Sequence, residues 1–238
     1  MPDITLVHTN DLHGKLTQEK AAYLGRVREK ADFYFDTGDL VRAGNLAVPV
    51  RPDAAWPLLA SLDCSAMVPG NRESHPLKKG VNAKFQGCET TVVCANWKDK
   101  KGKRPFPDHA DFETKRIHIA VFGVMVPMVT ERMATQAASQ YLWDQPVEVG
   151  AALGARLKKK ADFVIALTHI GLSHDRRLAQ ECADIDLILG GHSHNVLEQP
   201  EVVNGVPICQ GGSHARFIGR YTLRTGKGLI KAELLPWP

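Results

Sequence analysis

The chain has 238 residues, 44% of them hydrophobic and 24% charged, and its formal net charge is +4 at pH 7. This length and composition predict a single globular domain over residues 1–238, and the weak, evenly mixed charge argues against a dedicated nucleic-acid-binding protein. The sequence has no basic leader followed by an apolar run and no stretch of about 18 apolar residues, so we expect a cytoplasmic protein without membrane association. The five cysteines form no Cys-x-x-Cys motif, which predicts free thiols.

A short apolar, β-branched run over residues 4–9 predicts the first buried strand. It ends in Asn-Asp-Leu-His-Gly, where Asp11 and His13 would point the same way on a locally extended chain. Both are candidate metal ligands. Apolar residues at helical intervals then predict an amphipathic helix over residues 15–30.

The next two strand ends carry further polar candidates. Residues 33–35 predict a strand that runs into Asp-Thr-Gly-Asp. Asp39 is the favoured ligand there because open α/β sheets bind ligands at the carboxyl ends of their strands. Asp36 could be a second ligand, but such an aspartate more commonly caps a turn. A third strand begins at residue 66 and ends in Gly-Asn, which makes Asn71 the next candidate.

The middle of the chain gives fewer functional signals. Residues 91–97 and 117–126 predict strands, and the stretch from 127 to 145 is irregular. Five of the seven residues from 98 to 104 are basic. Such a run is usually a solvated loop, which is the interpretation we favour, and the alternative is that it attracts an anionic substrate.

The last third of the chain alternates predicted helices and strands before a final set of strands. Helices are predicted over residues 146–160 and 173–182, and strands over 163–167, 186–189, 207–210, 217–223 and 229–235. Thr-His follows the first of these strands and makes His169 a candidate ligand. Gly-Gly-His-Ser-His follows the second, and His192 and His194 again lie two positions apart.

Each candidate ligand follows an apolar run, and strand ends can gather at one edge of a sheet. The candidates are Asp11, His13, Asp39, Asn71, His169, His192 and His194. These oxygen and imidazole groups are too many for one ion but suit two divalent ions that share a carboxylate. Such a mixed set admits Mn²⁺, which we favour, or Fe, Zn²⁺, Co²⁺ or Ni²⁺. Two cations about 3.5–4 Å apart can activate water for in-line attack on phosphorus.

The order Asp-x-His, Gly-Asp, Gly-Asn, Thr-His and Gly-His-x-His resembles the calcineurin-like metallophosphoesterase superfamily. Thr-Asn-Asp-Leu-His-Gly at residues 9–14 is similar to its 5′-nucleotidase branch. The resemblance spans Ile4 to about Leu235 and implies an α/β fold, a four-layer α-β-β-α sandwich with mixed sheets. Full-length 5′-nucleotidases carry a C-terminal nucleotide-binding domain, and we expect this chain to lack it.

The resemblance also implies the ligands of each ion and the activity. The ligand sets are Asp11, His13, Asp39 and His194 for one ion, and Asp39, Asn71, His169 and His192 for the other. Asp39 would bridge the two ions. The implied activity is metal-dependent hydrolysis of a small phosphomonoester such as a nucleotide, and a phosphodiesterase acting on cyclic or diester nucleotides is the alternative.

The sequence departs from the family at its usual catalytic histidine. The family pattern is Gly-Asn-His-Glu, with a paired aspartate three residues after the histidine, and here Arg72 and His75 replace these two residues. An arginine stays protonated, so it can bind phosphate oxygens but cannot donate a proton. We therefore expect catalytic roles for Arg72 as an electrostatic clamp, for His75 as the proton donor, and for Asn71 beside its metal. The alternatives are an enzyme restricted to good leaving groups and a metal-binding scaffold with weakened catalysis.

Overall fold

The computed structural model describes residues 2–238, in which strands and helices alternate along much of the chain. In chain order, the strands are β1 (Asp3–Thr9), β2 (Phe33–Asp36), β3 (Ala66–Met67), β4 (Trp97–Asp99), β5 (His109–Thr114), β6 (Ile117–Met125), β7 (Tyr141–Trp143), β8 (Phe163–His169), β9 (Leu187–Gly190), β10 (Glu201–Val203), β11 (Val206–Cys209), β12 (Phe217–Arg224) and β13 (Gly228–Pro236). The helices are α1 (Gln18–Arg28), α2 (Ala55–Ser61), α3 (Lys78–Lys84), α4 (Pro146–Lys158) and α5 (Leu172–Glu181), with a 3₁₀ turn over Ala134–Ala137.

The strands form two large mixed sheets and a short ribbon. The first sheet has the order β13-β12-β1-β2-β3. Strands β1, β2 and β3 are parallel to one another, whereas β12 pairs antiparallel with both β1 and β13. The second has the order β10-β11-β9-β8-β6-β5, with a parallel centre and antiparallel edge strands. Strands β4 and β7 pair separately. The α/β fold with mixed sheets that the sequence predicted is confirmed.

The buried side chains form clusters on both faces of each large sheet. In β1, Leu6 packs in the cluster shared with the second sheet, whereas Val7 packs in the cluster that contains α1 and α2. In β8, Ile165 belongs to the shared cluster and Val164 to the cluster that contains α4 and α5. Each sheet is therefore covered on both faces, as the near-continuous apolar runs of the parallel strands require. This arrangement is consistent with four layers in the order α-β-β-α.

The strand predicted over residues 91–97 is wrong. Only Val92 makes a ladder contact there, a single bridge with Met67, and Trp97 begins β4. The backbone N–H groups of Cys94 and Ala95 donate to carbonyls in other segments rather than to one neighbouring strand. The segment is apolar because it is buried, and burial without a continuous hydrogen-bond ladder gives no strand.

The structure bears on the expectation of free thiols and on the search for membrane-spanning helices. All five cysteines are free, and four of them are buried, so the prediction of free thiols is confirmed. Across residues 2–238, no helix combines the length and the apolar character that crossing a membrane requires.

Candidate metal centre

The carboxyl ends of the parallel strands from both sheets meet at one end of the sandwich. After β1 and β2, the backbone N–H of Asp11 donates to the carbonyl of Gly38 at 2.9 Å. The two sheets are linked by His169 at the end of β8, whose Nδ1 donates to the Thr37 carbonyl at 2.6 Å. The backbone N–H of His192 donates to Asp11 Oδ2 at 2.9 Å. These links bring the candidate ligands of separate strands together.

One group of candidate ligands consists of Asp11, His13 and His194. Asp11 Oδ1 is 3.2 Å from His194 Nε2 and 3.8 Å from His13 Nε2, and the two Nε2 atoms are 3.0 Å apart. Asp11 is fully buried, yet its Oδ1 atom has no hydrogen-bond partner among residues 2–238. Buried carboxylate oxygens normally have a partner, and a divalent cation held between these three atoms would provide one.

The other group consists of Asp39, Asn71, His169 and His192. Asn71 Oδ1 is 2.9 Å from His192 Nδ1 and 3.2 Å from His169 Nε2, and His169 Nε2 is 3.5 Å from Asp39 Oδ1. The Asn71 amide donates to Asn45 Oδ1 at 2.8 Å, which turns its carbonyl oxygen towards the imidazoles. Because His169 Nδ1 donates to a backbone carbonyl, its Nε2 atom keeps a lone pair for a metal. Both groups therefore fit divalent cations.

Burial and neighbouring groups set the protonation of these residues. Although burial opposes ionisation, the neighbouring His194 and His169 lower the pKa of Asp11 to about 2. Burial lowers the pKa of His13 to about 4 and also lowers the pKa of His192. Near neutral pH, Asp11 is therefore an anion while His13 and His192 are neutral, and these are the states that metal binding requires. Although burial opposes it, Asp39 and Asp11 raise the pKa of His169, and the hydrogen bond to Asp11 raises that of His194, so a cation would compete with protons at these two rings.

Several candidate ligands have a left-handed backbone, with φ between +50° and +77°. They are Asp11, His13, Asp39, His192 and His194. This conformation costs a non-glycine residue roughly 1–2 kcal/mol, and it persists only where the surrounding structure fixes it. Such strain concentrates at functional sites, and here it coincides with the convergent side chains.

Glu73 supports the second group from below. It is fully buried, and its carboxylate accepts the backbone N–H groups of Asp39 at 2.8 Å, Gly70 at 2.8 Å and Val41 at 3.0 Å. Gly70 lies so close that a β-carbon there would collide with the Asp39 carboxylate. Glu73 thus joins the loop after β2 to the loop after β3. The sequence assigned it no role, although it stands directly after the Gly-Asn-Arg motif.

Asn10 holds the first group in a comparable way. Its amide nitrogen donates to Asp11 Oδ2 at 2.8 Å and to the Gly212 carbonyl at 2.6 Å, while its Oδ1 accepts from Gly211 N at 3.0 Å. A β-carbon at Gly191 would lie 3.1 Å from the same Asp11 oxygen. The same β-carbon would lie 2.9 Å from the Thr37 carbonyl oxygen, so the glycine before His192 is required by the close approach of both groups rather than by a turn.

Arg72 lies at the rim of the second group, where the family has its catalytic histidine. Its backbone N–H donates to Asp39 Oδ1 at 2.7 Å, and its Nε atom is 3.9 Å from Asp39 Oδ2. Its Nη1 donates to the Arg42 carbonyl at 3.2 Å. The side chain is 30% exposed. A permanently charged guanidinium is thus open to solvent beside a candidate ligand.

His75 is buried in its own loop and against α3. Its Nδ1 accepts from Leu77 N at 3.0 Å, and its ring lies so close to the helix that a β-carbon at Gly80 would collide with it. Within residues 2–238 it makes no hydrogen bond to Arg72 or to any of the seven candidate ligands. Its role as the proton donor stays a prediction.

His214 is a histidine that none of the sequence motifs contains. Its exposed ring lies with its centroid 4.7 Å from that of His13 and 6.0 Å from that of His194. Its backbone N–H donates to the Asp11 carbonyl at 2.8 Å. It stands outside the motifs of the other histidines, so only the packing of the loop after β11 shows that it borders the first group.

Asp36 caps a turn, as the favoured interpretation expected, and its burial predicts how the stability of the protein depends on pH. It is fully buried, its Oδ1 accepts from Gly38 N at 2.9 Å, and its Oδ2 accepts from Thr9 Oγ1 at 2.6 Å. Burial raises the pKa of Asp36 from 3.8 to about 7. The folded protein therefore holds a proton that the unfolded chain has released, so this residue lowers stability as pH rises from 3.8 to about 7, by up to ~4 kcal/mol.

Asp36→Asn cannot ionise and keeps an acceptor for Gly38. We expect the variant to lose less stability than the parent between pH 4.5 and pH 8, as measured by urea unfolding of both metal-free proteins. The difference between the two proteins isolates Asp36 from the other titrating groups. Parallel pH profiles would contradict the prediction.

Comparisons with known proteins agree with the geometry. A family model described as calcineurin-like phosphoesterase matches residues 4–196. The uncharacterized metallophosphoesterase YunD of Bacillus subtilis is 28% identical and aligns with 91% of this chain and 49% of its own length. A 5′-nucleotidase of Vibrio vulnificus is 28% identical and aligns with 98% of this chain and 51% of its own length. The crystal structure of a 5′-nucleotidase precursor from Thermus thermophilus is similar with a TM-score of 0.80 and 22% identity, over 99% of this chain and 54% of that one. This similarity shows a shared fold.

The fold and the clustered carboxylate and imidazole groups are those expected of a metallophosphoesterase. More particularly, the match over residues 4–196 makes the chain a member of the calcineurin-like phosphoesterase family, and the resemblance inferred from the motifs is confirmed. The family implies divalent metal ions, for which two overlapping clusters supply candidate ligands: Asp11, His13 and His194, and Asp11, Asp39 and His169. The chain spans about half the length of the curated relatives it matches.

Proposed function

We propose that the protein is a dinuclear metal-dependent phosphoesterase that hydrolyses a small phosphomonoester, such as a nucleotide. The observation that carries the proposal is the convergence of seven ligand side chains in two groups, with Asp39 within reach of both. Asp39 Oδ1 is 3.5 Å from His169 Nε2, and its Oδ2 is 3.9 Å from His13 Nδ1. The names of relatives, among them 5′-nucleotidases and an apyrase of Tabanus yao, support a nucleotide substrate.

The ligand assignment follows the two groups. Asp11, His13, Asp39 and His194 would hold one cation, and Asp39, Asn71, His169 and His192 the other. When bound, two such cations polarise the phosphoryl oxygens and lower the pKa of a water between them. Carboxylate, amide and imidazole donors together suit Mn²⁺, our preferred metal, and also admit Fe, Zn²⁺, Co²⁺ or Ni²⁺. The five free cysteines support a reducing, cytoplasmic location.

The protein's own side chains position the phosphoryl group and stabilise its charge. Arg72 stays protonated, and its partly exposed guanidinium beside Asp39 can donate to phosphate oxygens that approach the metals. Asn71 Oδ1 lies 3.2 Å from His169 Nε2 and 2.9 Å from His192 Nδ1, so one cation could bind all three atoms. His214, exposed beside His13, borders the path of approach to the first group. This arrangement places donors where negative charge develops.

Metal loading and substrate choice test the proposal together. Elemental analysis should find about two divalent ions per chain, and the Mn²⁺-loaded protein should hydrolyse p-nitrophenyl phosphate faster than bis(p-nitrophenyl) phosphate. Faster cleavage of the diester would instead favour the phosphodiesterase. A broad panel of phosphomonoesters and diesters, nucleotides included, then identifies the substrate class.

His75 is tested through the leaving group. If its ring supplies the proton, His75→Ala should slow alkyl phosphates about 10²-fold or more while barely affecting nitrophenyl phosphate, because only a poor leaving group needs an acid. Kinetics with both substrate types measure this. His214→Ala is the comparison variant, since His214 borders the candidate ligands directly. An equal effect of His75→Ala on both substrates removes His75 as the proton donor.

The position of Arg72 also favours a second candidate function, a metal-binding protein with weakened catalysis. An arginine occupies the place of the usual catalytic histidine, and His75 makes its hydrogen bonds within its own loop. This function predicts full metal occupancy without turnover on the same panel of phosphoesters. Measurable hydrolysis that depends on Asp39 would exclude it.

A further inference from the structure

The basic loop at residues 98–104 lines a cavity that the proposed function does not use. The cavity has a volume of about 550 Å³, within the range of small-molecule sites. It lies between α3 on one side and the turn after β4 on the other, with Gln140 and Tyr141 completing the wall. None of the seven candidate metal ligands lines it within the described chain. It is therefore a separate feature of the molecule.

The rim of this cavity carries an excess of positive charge. Its basic side chains are Lys78, Lys100, Lys101, Lys103 and Arg104, and its one carboxylate is Asp99. The Asp99 Oδ1 atom already accepts the backbone N–H groups of Lys101 at 2.8 Å and Lys103 at 2.9 Å, which fixes the turn. Over residues 2–238, the ammonium groups of Lys78, Lys101 and Lys103 have no acidic partner, whereas the neighbouring Lys98 pairs with Asp144 at 2.7 Å. An anion at the rim would relieve the repulsion among these charges.

The floor of the cavity is aromatic and held in place. The rings of Phe85 and Phe106 have centroids 4.8 Å apart, and Phe106 meets the buried Trp97 edge to face at 5.7 Å. Tyr141 packs on the same Trp97 at 5.4 Å and is only 6% exposed. Tyr141 lines the cavity together with the two phenylalanines. A flat ring resting on this floor would gain apolar contact.

We propose that the cavity binds a small aromatic anion, with its ring on the floor formed by Phe85, Phe106 and Tyr141 and its phosphate, sulfonate or carboxylate at the rim lysines. The site is independent of the metal centre. It assigns a function to the basic run, which the sequence alone presented as a solvated loop. Lys78, Lys101 and Lys103 supply charge without acidic partners, and the aromatic floor supplies the preference for a ring over a bare ion.

The test uses naphthalene-1-sulfonate, which combines a ring with an anion and contains no phosphoester. Isothermal titration calorimetry of the full chain should show one site. Lys101→Glu with Lys103→Glu should raise the Kd at least about tenfold, because two attractions become repulsions. Lys30→Glu with Lys159→Glu is the matched control, since both lysines are exposed and line no part of this cavity. The control should change the Kd by less than about twofold.

Four outcomes would overturn the proposal. The first three are no binding by the parent protein, equal weakening in both double variants, and binding of sodium sulfate as tight as that of naphthalene-1-sulfonate. The last of these three would show that the aromatic floor contributes nothing. Asp39→Ala should leave the Kd unchanged, so this proposal can fail or succeed independently of the metal centre. A Kd that rises tenfold in Asp39→Ala would assign the bound anion to the metal centre and would likewise overturn it.

Discussion

Asp39→Ala is expected to lower kcat/KM for phosphoester hydrolysis at least about 10³-fold, equivalent to ~4 kcal/mol of transition-state stabilisation. The Asp39 carboxylate approaches His13 on one side and His169 on the other. It also accepts the backbone N–H of Arg72 at 2.7 Å, so its loss frees the residue proposed to bind phosphate. Both cations would lose a ligand, and the proposed bridge between them would be gone.

The measurement is hydrolysis of p-nitrophenyl phosphate with Mn²⁺, together with the metal content of each protein. Asp63→Ala is a matched control because Asp63 also has a left-handed backbone, with φ +49° against +53° at Asp39. Its side chain is 89% exposed and pairs with Arg28, away from the candidate ligands. The control should keep both metals and activity. An Asp39→Ala protein with parental activity would contradict the proposed function.

The strands that carry the candidate ligands could be predicted because they are buried on both faces. The strands before Asp11 and His169 are buried at most positions, since each contacts the shared core on one side and helices on the other. Strands β5 and β10 were missed because they are edge strands without a single buried residue. Their sequences lack the apolar signal that burial imposes.

The candidate ligands were recognisable because each is a chemically distinctive residue directly after such a strand. Their supports were not, since Asn10 and Glu73 act through backbone groups that are distant in sequence. Glu73 reaches Val41 across 32 positions, and Asn10 reaches Gly211 across 201. Such contacts leave no local period or spacing. Only the folded arrangement of the loops shows them.

Glu73→Ala is expected to lower the free energy of unfolding by about 3 kcal/mol or more and to weaken metal binding. The substitution leaves the buried N–H groups of Asp39, Val41 and Gly70 without the carboxylate that accepts all three. Each unsatisfied group costs about 1–3 kcal/mol, and the net loss is smaller where water enters. For a chain of this size, 3 kcal/mol corresponds to a fall in Tm of roughly 6–12 °C.

The left-handed backbone of Asp39 explains why the loss of Glu73 should also weaken metal binding. Its φ of +53° is held in part by the hydrogen bond from its N–H to Glu73, so a relaxed loop would move the candidate bridging carboxylate. The stability of Glu73→Gln should lie between those of the parent and Glu73→Ala. Its amide keeps one acceptor oxygen but replaces the other with an NH2 group, which cannot accept from the backbone N–H groups. Glu89→Ala, at an exposed glutamate, should leave both properties unchanged. Thermal unfolding of the metal-free proteins and Mn²⁺ titration separate the two effects. A Tm within about 2 °C of the parent, which corresponds to less than ~1 kcal/mol, would show that water replaces the carboxylate and that Glu73 does not hold the loops.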